Sequence, residues 1–97
     1  MMPFRWNAEK NETIKASRGL SFEGVVIAVE SGGLLDIVNH PNPAKYTNQR
    51  VLIVAIESHA CLVPFVEEED HYFLKTIIPS RKATKVYLQK GEPDVQA

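Results

Sequence analysis

The sequence predicts an α+β domain: two N-terminal helices packed on a small antiparallel β-sheet, closed by a short C-terminal helix. Three observations predict it. Two segments with helix caps fill residues 8–30. Apolar, strand-like runs then succeed one another from 34 to 78, separated by turn residues. Finally, Pro79-Ser80 closes the last strand and restarts the chain as a helix. Helices, then strands, then one helix is the order of a sandwich of one layer on another.

Composition bounds the class. At 97 residues the chain is one domain, 1–97, with a core over about 4–90 and a frayed tail at 91–97. An apolar fraction of 44% and a charged fraction of 24% are those of an ordinary globular protein. One cysteine, Cys61, excludes an intrachain disulfide and fits a cytoplasmic location. Neither a membrane-length apolar run nor a signal-peptide core is expected. The net charge of −1 gives no overall pull on nucleic acid, but its distribution does. Residues 67–70 are all acidic, whereas Lys75, Arg81, Lys82, Lys85 and Lys90 follow with no acid among them. A near-neutral chain can thus carry one basic face.

The elements follow in order. Phe4-Arg5-Trp6 reads as a short extended piece with both aromatic side chains on one side. Asn7 caps a helix over 8–18 that Gly19 ends, with Ile14 its only large apolar side chain, so this helix is expected to be mostly wet. Ser21 caps a second helix, and Phe22, Val25, Val26 and Val29 fall on one helical face before Gly32-Gly33. Leu34 to Val38 reads as a strand, and 40–49, with two prolines, as a polar loop. Residues 50–57 are so apolar that the strand is expected to be covered on both faces. A short turn at Ser58-His59 leads into 60–66, and the acidic cluster turns the chain into 72–78. On that last strand Phe73, Lys75 and Ile77 are expected to share one face. Pro64 cannot donate to a ladder, so a bulge or an unpaired stretch is expected beside it.

The final segment holds a conflict of charge. Ser80 is an N-cap, and the helix behind it has residues able to run to Gly91. Arg81 and Lys82 then lie in the first turn, where the helix macrodipole is positive. Each costs about 0.3–1 kcal/mol there. Either these cations are simply solvated, or a bound anion such as phosphate resolves the conflict.

Several runs resemble the BrnT family of bacterial toxins, small relatives of the RelE-like ribonucleases. They are Phe4-Arg5-Trp6-Asn7, Glu9-Lys10-Asn11, Gly19-Leu20-Ser21-Phe22-Glu23, Arg50-Val51-Leu52-Ile53-Val54 and Ile78-Pro79-Ser80-Arg81-Lys82-Ala83-Thr84, with Tyr87 near the family's late tyrosine. There are departures: Arg18 stands where the family usually has histidine, the 39–49 loop differs, and the last helix is short. The resemblance implies a RelE-like fold and an endoribonuclease that cleaves messenger RNA. It also implies a ribbon-helix-helix antitoxin as partner, with DNA reached only through that antitoxin.

Such nucleases typically use no metal: the ribose 2′-OH attacks the adjacent phosphorus, and cations steady the added charge. On that reading Arg81 and Lys82 are phosphate clamps, with Arg50 on the central strand and Lys75 on its neighbour as further cations. Tyr87 either donates a proton or finishes the core. His40, opening the polar loop, is the candidate base, against the alternative of a plain surface histidine; His59 and His71 sit at predicted turns. Lys45 and Tyr46 reach RNA from the loop, by charge and by stacking, and Lys85 extends the basic side. No ligand spacing points to a metal, and Gly32-Gly33 is no phosphate loop, so no cofactor is expected. Cys61, in an apolar strand, reads as an inert core thiol. The competing class is a non-catalytic module that binds RNA or protein with the same basic face.

Overall fold

The computed structural model describes residues 2–89. In chain order they form β1 (Phe4–Trp6), α1 (Ala8–Arg18), α2 (Phe22–Glu30), β2 (Leu34–Asn39), β3 (Gln49–Ile56), β4 (His59–Glu67), β5 (Tyr72–Leu74), β6 (Ile78–Pro79) and α3 (Arg81–Leu88). The fold is α+β. No helix among the described residues is long and apolar enough to cross a membrane.

The helix boundaries lie where the caps put them. The Asn7 side chain accepts from the Lys10 N–H at 2.8 Å, and Gly19 ends α1 in the left-handed region at φ 69°. The Ser21 hydroxyl accepts from Gly24 N–H at 3.0 Å, and the Ser80 hydroxyl from Ala83 N–H at 3.0 Å. Between α2 and β2, Gly33 is pressed against backbone: an added Cβ would lie 2.8 Å from the Ala28 carbonyl oxygen and 3.0 Å from that of Ala55. The last helix ends at Leu88, with Gln89 as its C-cap, short of the expected Gly91; residues 90 and 91 and the 91–97 tail lie outside the described residues.

The sheet departs from expectation in three ways. It is mixed, not antiparallel: in the order β1-β5-β4-β3-β2, β1 runs parallel to β5 while the other pairs are antiparallel. The cause is at the edge, where Phe4 lies against Tyr72 and Trp6 stacks on Phe22, with ring centroids 5.8 and 5.7 Å apart. Second, the 72–78 strand is broken into β5 and β6, both on β4. Leu74 pairs with Phe65 and Ile78 with Leu62, so residues 75–77 stand opposite only 63 and 64. That is the bulge Pro64 demands: its carbonyl accepts from Lys75 N–H at 2.8 Å, but its nitrogen has no hydrogen to return. The break also moves Ile77 to the same face as Leu74, away from the expected grouping with Phe73 and Lys75.

Third, the helices are not in one layer. Phe22 and Val25 of α2 and Ile14 of α1 pack with Leu52, Val54, Val63 and Phe65 on one face of the sheet. Val51, Ile53 and Ala60 point to the other face, where Ala83 of α3 covers them. The apolar β3 is therefore sandwiched, as its sequence requires. Asn11, 3% exposed, ties the two N-terminal helices: its Oδ1 accepts from Phe22 N–H and its Nδ2 donates to Glu23, both at 2.8 Å. That bond, with help from Lys15, holds the Glu23 carboxyl below its usual range, so Glu23 is helix-terminal structure.

Candidate nucleic-acid interface

The candidate residues fall into three regions. The first is α3. Ala83, Thr84, Tyr87 and Leu88 turn inward, which leaves Arg81, Lys82 and Lys85 exposed on the outer side. The helix is fixed to the start of β4. Ser80 N–H donates to the Ala60 carbonyl at 3.1 Å, while the buried Thr84 hydroxyl accepts from Ala60 N–H at 2.8 Å and donates to the Ser80 carbonyl at 2.7 Å. Farther along, the Tyr87 hydroxyl donates to Asp36 at 2.7 Å, and that bond raises its pKa above the usual phenol value. Tyr87 is thus a tie between α3 and the β2 edge. Among the described residues no carboxylate pairs with Arg81, Lys82 or Lys85.

The second region is a cleft of about 760 Å³ at the far end of the β3–β4 ladder. Here Arg50, His40 and Tyr46 come together, apart from Arg81 and Lys82 with which the ribonuclease reading groups them, and Glu67, Glu68 and Glu69 line the same cleft. Arg50 is paired with Glu67 at 2.5 Å and lies over the Phe65 ring, 5.3 Å from its centroid. His40 Nδ1 accepts from the Asn42 N–H at 3.0 Å, so the neutral ring carries its proton on Nε2 and has no lone pair left to act as a base. Its ring is 4.2 Å from that of Tyr46, over which Lys45 Nζ lies at 5.4 Å. These are the contacts of a loop packed on itself. Arg50 pairs with Phe65 whereas Ala60 pairs with Ala55, so this cleft is roughly 17 Å along the strands from the α3 anchor. Lys75 belongs to a third region, beside Phe73 and the N-terminal turn of α1, with Glu9 and Lys10.

Two residues that the sequence left aside line one cleft on the α1–α2 side of the sheet. Arg18, on the last turn of α1, and His59, at the start of β4, line a cleft of about 310 Å³ with Glu57, Cys61 and Pro79. Arg18 Nη1 donates to the Ile77 carbonyl at 2.8 Å. The β3–β4 turn is Glu57-Ser58, with φ 50° and 71°, and not the expected Ser58-His59. His59 is therefore a strand residue whose Nδ1 lies 3.1 Å from the Glu57 carbonyl. A carbonyl only accepts, so Nδ1 carries the proton and Nε2 keeps its lone pair. Burial pushes the Cys61 thiol pKa up, in keeping with an inert core thiol. His71 donates from Nδ1 to Asp70 at 2.7 Å, which holds that carboxyl low. Among the described residues no three histidine, cysteine or carboxylate side chains gather into a metal-binding group.

No family model, no curated protein and no solved structure matches this chain.

Proposed function

We propose that the protein is a toxin-type endoribonuclease of a bacterial toxin–antitoxin pair, acting in the cytoplasm and without metal. The observation that carries this reading is the cation set of α3: Arg81, Lys82 and Lys85 face outward, unpaired among the described residues, on a helix bonded to the sheet. Fixed cations without carboxylate partners suit a polyanion, because binding it releases counterions and resolves the charge conflict at the helix start. Arg81 takes a phosphate in bidentate fashion, and Lys82 and Lys85 take its neighbours. The 2′-OH of the held nucleotide attacks the adjacent phosphorus.

The antitoxin of this reading is a ribbon-helix-helix protein, through which alone DNA is reached. The shallow groove of Leu62, Ala83, Val86 and Tyr87 beside Lys82 supports it, since Val86 is 50% exposed there. Expression without a partner is expected to arrest growth and cut transcripts. Arg81→Ala is expected to abolish both while thermal unfolding stays unchanged. Full toxicity in that variant removes Arg81 from the site. RNA that is shifted on a gel but never cut in EDTA favours the non-catalytic binding module instead.

A further inference from the structure

We propose that the cleft between the end of α1 and the β3–β4 turn holds the scissile phosphodiester, with His59 as general base and Arg18 on the phosphate. The inference rests on the ribonuclease reading and names its reacting site. Of the three histidines, His40 has its lone pair engaged by Asn42 N–H, and His71 adjoins the acidic 67–70 run, which repels a phosphate. His59 alone combines an available Nε2 lone pair with a cation in the same cleft. Its ring is exposed and oriented by the Glu57 carbonyl, the arrangement that orients a base. The Ile77 carbonyl takes one of the five N–H groups of Arg18, and four remain for other acceptors. Pro79 of β6 lines the cleft, and α3 starts two residues later at Arg81 on the opposite face of the sheet.

The step balances without a co-reactant beyond water. His59 Nε2 takes the proton of the 2′-OH as the 2′-oxygen bonds to phosphorus. The P–O5′ bond breaks, its electron pair stays on O5′, and that oxygen takes a proton from water. The hydroxide so formed recovers the proton from the imidazolium. The products are a 2′,3′-cyclic phosphate and a 5′-hydroxyl.

The test is cleavage of a single-stranded oligoribonucleotide in EDTA by the whole chain, with affinity measured separately on a 2′-deoxy version. His59→Gln is expected to lower the saturated rate by about 10²-fold or more, the usual share of a general base, with affinity within about twofold. The same substitution is expected to change the pH profile of the rate. Arg18, Glu57 and Cys61 face the same cleft and remain in both proteins, so they cannot cause that difference. Cleavage by His59→Gln at the parental rate and pH profile, while Arg81→Ala fails, overturns His59 and leaves the ribonuclease reading intact. A 5′-phosphate product overturns the proposed step. A parent chain that never cuts RNA overturns the ribonuclease reading and this inference together.

Discussion

The two ends of the β3–β4 ladder carry similar residue types and differ in whether those residues are already spoken for. At one end Arg50 faces Glu67, and the His40 lone pair is filled by a backbone N–H. At the other, Arg81, Lys82 and Lys85 have no carboxylate partner among the described residues, and His59 keeps Nε2 available. A cation is a binding group only where its charge is not already neutralised, and an imidazole is a base only where its lone pair is unoccupied. Residue type locates neither condition; pairing does.

Reversing the charges should break the contrast most strongly. Arg81→Glu with Lys82→Glu is expected to weaken single-stranded RNA binding on the order of 10²-fold at low salt, because each like charge now opposes a phosphate. Arg50→Gln should leave affinity within about twofold, as measured by fluorescence anisotropy. The converse sharpens the contrast: Glu67→Gln frees Arg50 and is expected to raise RNA affinity a few-fold in the same assay.

The anchor of α3 gives the next effect. Thr84→Val leaves the Ala60 N–H without its partner beneath the helix. The expected loss is about 1–3 kcal/mol in urea unfolding, with faster amide exchange over α3. Asn11→Ala should cost a similar amount, since it orphans the Phe22 N–H, but it should leave salt-dependent RNA binding unchanged.

The smallest effect is in pH. The bond to Asp36 raises the Tyr87 pKa above its unfolded value. The tie therefore stabilises α3 fully below the ordinary tyrosine range and is lost as pH rises through the folded value. Alkaline titration of tyrosinate absorbance should show one late tyrosine, absent in Tyr87→Phe. A titration unchanged by that substitution contradicts the tie.

How much of this could be read beforehand depends on the distance over which each determinant acts. Asn7, Ser21 and Ser80 act on N–H groups three residues away, so the helix starts were readable from local sequence. So was the exposure of Arg81 and Lys82, because the cap fixes which turn they occupy. The unbroken apolar run of β3 announced cover on both faces, though not which helix supplies it. Pro64 announced a fault in the ladder, but whether β4 or its neighbour would absorb it is a tertiary matter. The parallel β1–β5 pair joins residues 68 positions apart in the chain, such as Phe4 and Tyr72, and no local pattern encodes it. Arg50 finds Glu67 only through the β3–β4 register. His59 was hidden by its turn: Glu57-Ser58 adopts left-handed backbone without the glycine or asparagine that marks such hairpins, so the strand start was misplaced.

The most direct measurement is the salt dependence of single-stranded RNA binding by the parent, Arg81→Gln/Lys82→Gln and Arg50→Gln. If the free cations of α3 meet the phosphates, the slope of log K against log salt should fall in magnitude by about 1.4 in the double variant, at ~0.7 for each lost contact, and stay at the parental value in Arg50→Gln. An unchanged slope in the double variant, or an equal fall in Arg50→Gln, contradicts the assignment of the RNA surface to α3.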